Sequence, residues 1–148
     1  MFKTSVATRV ISFAALITLL LASFPTAAAA AKENKGLEAK WAKLVEVYNR
    51  QAVIHDSAPR WVEQWLSDHR RASASKKAEL RRDLAKSNAA WGPVASIVMR
   101  HNGFDAQGNV IDKAAARQSV KALSQALQRY KGSIKNLRAL IRQFNKEV

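Results

Sequence analysis

The sequence predicts an all-α fold: a helical bundle of four to five helices with a long C-terminal spine helix, preceded by an N-terminal signal peptide. Near the C-terminus, nine apolar residues follow one another at alternating steps of three and four, the heptad spacing of a helix that buries one edge. No segment of useful length alternates apolar and polar residues as a strand does. An uncharged apolar run marks the N-terminus, so we expect one helical domain, residues 32–148, after a leader, residues 1–31.

The leader has the layout of a secretory signal peptide. Lys3 and Arg9 precede an uncharged apolar run of fifteen residues, 10–24, and small residues follow as far as residue 31. A membrane-spanning helix needs about 20 apolar residues, so a retained anchor is the weaker interpretation. We therefore expect cleavage after one of residues 29–31 and a periplasmic or secreted location in a bacterium.

The composition is strongly basic and lacks cysteine. The chain has 25 Lys and Arg residues against 11 Asp and Glu, and loss of Lys3 and Arg9 with the leader lowers the formal net charge from +14 to +12. Such a charge attracts anionic partners but does not determine a fold. Without cysteine, the sequence excludes disulfides, thiol catalysis, cysteine-ligated metals and a lipoprotein anchor.

The first helix is predicted over about residues 33–54. Leu37, Trp41, Leu44 and Tyr48 lie at steps of four and three, so they define one face of this helix. We expect that face to pack against the later helices.

Proline and serine residues are expected to divide the middle of the chain into short helices. Residues 56–59 (Asp-Ser-Ala-Pro) predict a turn, because proline suits the first position of a helix and breaks its interior. A short second helix then extends to about residue 69, and residues 71–75 form a linker in which Ser75 caps the third helix. The Gly-Pro pair at residues 92–93 is expected to end or kink the third helix, so that a short fourth helix follows.

A loop and a cap precede the last helix. Residues 104–111 predict a loop with a brief hairpin, and Asp112 predicts the N-cap of the C-terminal helix. The nine apolar residues of that helix are hereafter the seam: Val120, Leu123, Leu127, Tyr130, Ile134, Leu137, Ile141, Phe144 and Val148.

A second line of residues runs beside the seam at the same spacing, from Arg117 to Asn145. Six of its nine residues are cationic, and no acidic residue lies between Asp112 and Glu147. A typical surface helix interleaves both signs of charge, so the predicted partner-binding surface starts from these cations. They are hereafter the cationic stripe: Arg117, Lys121, Lys131, Lys135, Arg138 and Arg142.

Both lines have a structural and a functional interpretation. We expect the seam to pack against other helices of the same chain. Alternatively, the C-terminal helix uses the seam to form an oligomer or to bind another partner. A parallel homodimer would bring the cationic stripes together without compensating glutamates. The cationic stripe is either a solvated face or the contact for an acidic protein or an anionic envelope polymer. Peripheral membrane contact is a further alternative, whereas predicted export and the absence of a recognised signature argue against nucleic acid.

Trp61 and Trp65 lie one helical turn apart and join the predicted partner-binding residues. Their structural interpretation is an aromatic core, and their functional one is a contact surface or a platform for sugar rings. If they line a cleft, Asp56, Glu63 and Asp68 offer a carboxylate pair for glycosidic cleavage. The sequence therefore keeps a hydrolase of cell-wall glycan as an alternative.

No other pattern points to catalysis, a cofactor or a metal. The three histidines lack metal-site spacing, and residues 105–109 depart from the EF-hand pattern of calcium ligands. We therefore predict an exported, non-catalytic helical binding protein without cofactor, resembling a chaperone or an inhibitor or immunity protein in its mode of action. Besides the hydrolase, a structural assembly subunit is the remaining alternative.

Overall fold

A computed structural model describes residues 27–147, and this part of the chain forms three α-helices. They are α1 (Ala27–Asp68), α2 (Ala74–Arg100) and α3 (Lys113–Lys146). The all-α bundle is confirmed, whereas the prediction of four to five helices is wrong for the described residues. Most of the predicted signal peptide, residues 1–26, lies outside them, as does Val148.

The chain divides into two units after Lys35, and the bundle belongs to the second, Gly36–Val148. Of the first unit, residues 27–35 are described and are helical. Within the described chain, no helix combines the length and the apolar character needed to cross a membrane.

α1 continues through residues 56–59, where the sequence predicts a turn. Pro59 lies inside the helix, and the Ser57 hydroxyl donates a hydrogen bond to the carbonyl oxygen of Val53 at 2.7 Å. Proline costs about 3 kcal/mol in a helix interior, but Ala58 directly before it and Val62 and Trp65 after it are all buried. Because only a continuous helix keeps them in phase with Leu37 and Trp41, core packing offsets the cost of the proline.

α2 likewise continues through Gly92 and Pro93. Both residues are exposed, and so is Ala89, whose carbonyl loses its helical donor to the proline and can accept from water. Val94, directly after the proline, is fully buried. The predicted third and fourth helices are therefore one helix, since its solvent side accommodates the proline while its inner side stays packed.

The start of α2 also differs from the prediction. The N-cap is Ser73, not Ser75, and its hydroxyl oxygen accepts a hydrogen bond from the backbone N–H of Lys76 at 3.3 Å. Asp112 is the N-cap of α3 as predicted, and its carboxylate accepts from the backbone N–H of Ala115 at 3.0 Å.

The seam of α3 forms the centre of the core. Its residues within the described chain are buried, apart from Val120 and Ile141, which are half-buried. α3 has 34 residues and is shorter than α1, which has 42, so the C-terminal helix is long but is not the longest element.

Large aromatic side chains connect α1 to the other two helices. Trp91 of α2 stacks on Tyr48 and His55 of α1, with ring centroids 5.2 and 4.8 Å apart. The same indole lies 4.8 Å from the ring of Tyr130 on α3. This aromatic cluster joins the three helices, with two rings from α1 and one each from α2 and α3.

The loop between α2 and α3 is held against α1. Phe104 and Val110 form a single antiparallel bridge, which confirms the brief hairpin, and Phe104 stacks on Trp41 at 4.6 Å. The Glu38 carboxylate accepts a hydrogen bond from the Val110 N–H at 3.0 Å. Gly103 has φ +88°, and a Cβ there would overlap the backbone of Ala116, so only glycine fits this close approach.

Candidate binding surface on α3

All six residues of the cationic stripe are exposed on α3. The uncharged Ser124 and Gln128 divide them into a pair near the start of the helix and a group of four near its end. The group of four begins at Lys131 and ends at Arg142, and at 1.5 Å per residue it covers roughly 17 Å of helix. Positive charge is therefore concentrated on the C-terminal half of α3.

Most of the cationic stripe has no internal counter-charge. Ion pairs within residues 27–147 include those of Arg50, Lys76, Arg82 and Lys86, none of which belongs to the cationic stripe. None of the following residues forms an ion pair with a carboxylate in that part of the chain: Lys121, Lys131, Lys135, Arg138 and Arg142. Their charge is thus available to an external anion.

Trp61 lies next to this group of cations. Its side chain is half-buried, and the guanidinium carbon of Arg138 lies 4.6 Å from the centroid of its ring, a cation–π arrangement. Trp61, Arg138, Ile141 and Arg142 line a surface depression of about 360 Å³, hereafter the Trp61 depression. The structure therefore brings together Trp61 and two of the predicted cations.

Trp65 occupies a different environment, although it belongs to the same predicted set. It is 3% exposed, and its indole N–H donates a hydrogen bond to the side-chain oxygen of Asn145 at 2.8 Å. His69 stacks on it at 4.5 Å, and Phe144 lies 5.7 Å away. Trp65 therefore contributes to the core beneath the end of α3.

Tyr130 is the seam residue that belongs to the aromatic cluster. Its side chain is fully buried, and burial raises its pKa to about 12, while the charge of Arg138 acts to lower that pKa and Asp56 acts to raise it. Its hydroxyl and the Nδ1 atom of His55 have no hydrogen-bond partner among the described residues. Sequence reasoning did not identify this cluster, although Tyr48 and His55 lie seven residues apart, on one face of a heptad helix.

The carboxylates considered for glycosidic cleavage lie on the exposed surface of α1. Asp56, Glu63 and Asp68 are all exposed, and Asp68 accepts two hydrogen bonds from Gln64, at 2.9 and 3.0 Å. Within residues 27–147, no cluster of His, Asp or Glu is suited to hold a metal ion.

An ion pair connects the end of α3 to the start of α2. The Glu147 carboxylate lies 2.8 Å from the Lys76 ammonium and accepts a hydrogen bond from Gln143 at 2.9 Å. Hydrogen bonds from Lys76 and Gln143 hold the pKa of Glu147 below its ordinary value of 4.5. The Lys76 ammonium also lies 5.3 Å from the ring centroid of Phe144, which in turn contacts Trp65. The ion pair between Lys76 and Glu147 therefore lies at the edge of the core, next to Phe144.

No protein family, curated protein or solved structure with which the chain was compared matches it.

Proposed function

We propose that this chain is an exported, non-catalytic binding protein that engages an acidic protein or an anionic envelope component through α3. The observation that carries the proposal is the exposed group of four cations without internal carboxylate partners: Lys131, Lys135, Arg138 and Arg142. Formation of a bundle does not require this arrangement, because the fold uses the seam and leaves the adjacent line of α3 to solvent.

Binding would proceed by electrostatic attraction followed by local contact. A concentrated positive surface raises the rate of encounter with an anionic partner, and that rate falls as salt screens the charges. Short-range contact then involves Trp61, whose half-buried ring lies at the edge of the same surface.

The shape of the surface favours an inhibitor-like or immunity-like mode over a chaperone-like one. A chaperone for unfolded clients needs a concave apolar surface, whereas the described seam residues are buried or half-buried within the bundle. The large apolar residues that are most exposed within residues 27–147 are Val53, Met99 and Ile111, and they lie on three different elements of the chain. A single charged helix surface is better suited to one specific acidic partner.

Charge reversal on α3 tests the proposal. The triple variant Lys135→Glu, Arg138→Glu and Arg142→Glu should bind poly-L-glutamate and phosphatidylglycerol vesicles more weakly than the parent. Its affinity should also depend less steeply on salt, since fewer counterions are exchanged. Isothermal titration calorimetry at several salt concentrations measures both quantities.

The matched control reverses three exposed cations elsewhere: Lys40→Glu, Lys43→Glu and Arg81→Glu. It changes the net charge of the chain by the same amount without touching α3. Circular dichroism checks that both variants remain folded. Equal losses of affinity in the two variants would show that net charge, and not the α3 surface, attracts the anion, and would overturn the proposal.

The predicted signal peptide supports export, and its cleavage can be measured directly. When the full chain is expressed in a bacterium, we expect protein from the periplasmic fraction to begin at one of residues 30–32. N-terminal sequencing gives the start of that protein. A chain that keeps residues 1–29 and stays in the cytoplasm would overturn the export part of the proposal.

A further inference from the structure

The Trp61 depression differs from the rest of the cationic surface because its lining combines cations with apolar side chains. Trp61 and Ile141 supply apolar area, and the carbon stems of Arg138 and Arg142 extend it. We propose that this depression receives one apolar or aromatic side chain of an acidic peptide segment, whose carboxylates bind the flanking arginines and lysines. This inference rests on the proposed function and names the partner class for the same surface.

The position of Arg138 over Trp61 suits it to carboxylate recognition. Its guanidinium carbon lies 4.6 Å from the ring centroid, and a guanidinium in such a cation–π contact keeps N–H groups for other acceptors. Paired N–H groups of arginine form two hydrogen bonds with a carboxylate, and the contact with the ring reduces the rotamer freedom that is lost on binding. Arg142 lies one helical turn further along α3 and supplies a second fork at the same depression.

The dimensions of the surface fit a short segment. At about 360 Å³ the depression lies at the small end of the range of ligand pockets, roughly 300–1,000 Å³, so one anchor group occupies it. From the depression, Lys135 and Lys131 continue the charge toward the start of α3. The roughly 17 Å from Arg142 to Lys131 corresponds to about five residues of extended peptide at ~3.3 Å each. The expected ligand is thus an apolar anchor followed by about four acidic residues.

A lipid surface fits the same region less well. A helix that lies on a membrane inserts a continuous apolar face, whereas the apolar seam of α3 is used within the bundle. The exposed apolar residues Val53, Met99 and Ile111 lie outside the lining of the depression, so they do not extend it into an insertion surface. Charge complementarity therefore favours an acidic peptide, and lipid binding becomes an outcome of the test.

Two fluorescein-labelled peptides test the inference: one phenylalanine followed by four glutamates, and the same peptide with glycine in place of phenylalanine. Fluorescence anisotropy with the whole protein should show about tenfold tighter binding of the phenylalanine peptide, the gain expected from burial of one anchor side chain. Trp61→Ala should reduce this preference to less than about twofold, and it should weaken the glycine peptide much less than the phenylalanine peptide. Val53→Ala removes an exposed apolar side chain from the same helix and should leave the preference intact.

Arg138→Lys tests the arginine fork separately. The variant keeps the charge but loses the planar guanidinium, so both peptides should bind several times more weakly while the thermal unfolding midpoint stays unchanged. Affinities equal to those of the parent would overturn the role assigned to Arg138.

The other outcomes separate this inference from the broader one. If both peptides bind equally tightly and with salt dependence, the depression is not an anchor site, but the α3 surface still binds anions. If phosphatidylglycerol vesicles bind and neither peptide does, the partner is a lipid surface and the inference is overturned. If neither peptides nor vesicles nor poly-L-glutamate bind, the inference and the proposed function fail together.

Discussion

Trp61 and Trp65 lie one turn apart on α1, yet the structure places them in different regions of the molecule. Trp65 lies in the core against Phe144 of the seam, and its N–H is bonded to Asn145. Trp61 is half-buried at the surface, beneath Arg138 of the cationic stripe. Trp65 thus contributes to the core, whereas Trp61 lies at the surface that is proposed to bind a partner.

The difference shows that a tryptophan's position on the helix face decides whether it packs in the core or lies at the surface. Both residues are equally apolar and have similar sequence surroundings. Trp65 continues the heptad face that includes Ala58 and Val62, whereas Trp61 lies one position before Val62 and therefore at the edge of that face. A shift of this size moves the indole from the buried core to a half-buried position at the edge of the bundle.

The largest expected effect is the contrast between the two truncations. Trp65→Ala should lower the free energy of unfolding by about 3–5 kcal/mol, because it leaves a cavity and removes the donor to Asn145. Trp61→Ala should cost no more than about 1.5 kcal/mol, since that ring is partly in water. Urea denaturation followed by circular dichroism measures both, and equal losses would remove the distinction between the two regions.

Two neighbouring residues of α3, one in the seam and one in the cationic stripe, allow the same comparison of buried and exposed positions. Ile134→Ala should cost about 2–5 kcal/mol, because the side chain is buried in the seam. Lys135→Ala, one residue later on the cationic stripe, should change stability by less than about 0.5 kcal/mol. A loss below half a kcal/mol for the isoleucine would contradict the assignment of the seam to the core.

Tyr130→Phe is expected to have a smaller effect on the free energy of unfolding, and to leave it unchanged or raise it. Its buried hydroxyl has no partner within residues 27–147, so Tyr130→Phe removes a desolvation cost without breaking a hydrogen bond. The free energy of unfolding should stay the same or rise by up to about 1 kcal/mol. Tyr48→Phe, at a half-buried position in the same aromatic cluster, is the control and should be nearly neutral. A loss of more than about 1 kcal/mol at Tyr130 would show that its hydroxyl does bind a partner.

The smallest expected effect is the contribution of the ion pair between Glu147 and Lys76 to the pH dependence of stability. Because the folded protein holds the pKa of Glu147 below 4.5, ionised Glu147 stabilises the fold above about pH 4.5. This stabilisation is lost as the pH falls through the lowered value, when Glu147 is protonated and releases Lys76. The thermal midpoint should therefore decrease slightly more on acidification in the parent than in Glu147→Gln. Identical decreases in the two proteins would show that the ion pair does not contribute.

The sequence predicted α3 better than it predicted the other helices. The alternating spacing of the seam, the cap at Asp112 and the exposure of the cationic stripe all agree with the structure. These features depend on the local chain and on one helical period, which a single sequence contains.

The predicted turn at Pro59 and the predicted helix end at Pro93 are wrong, because the heptad phase outweighs the local steric effect of proline. In α1, alternating steps of four and three run from Leu37 to Trp65 without interruption, and in α2 they run from Leu80 to Val98. An uninterrupted phase means that a continuous helix buries one face throughout, and this burial offsets the cost of a proline. The phase was visible in the sequence, so this part of the fold was predictable.

The proximity of Trp61 to Arg138 was not predictable in the same way. It depends on how α1 is aligned with α3, and that alignment follows from packing at Trp65, Tyr130 and Phe144 together. Residue types and spacing identified both side chains as candidates, but they contain no distance between two helices.

The central claim is that α3 uses one face for the fold and leaves the adjacent cationic face for a partner. A titration of the ¹⁵N-labelled protein with poly-L-glutamate, followed by two-dimensional NMR, tests it most directly. We predict that amide shifts concentrate around Lys131, Lys135, Arg138 and Arg142 and extend to the indole N–H of Trp61, and that Lys40 and Lys43 stay unchanged. Shifts spread evenly over all exposed lysines and arginines, or none at all, would contradict the claim.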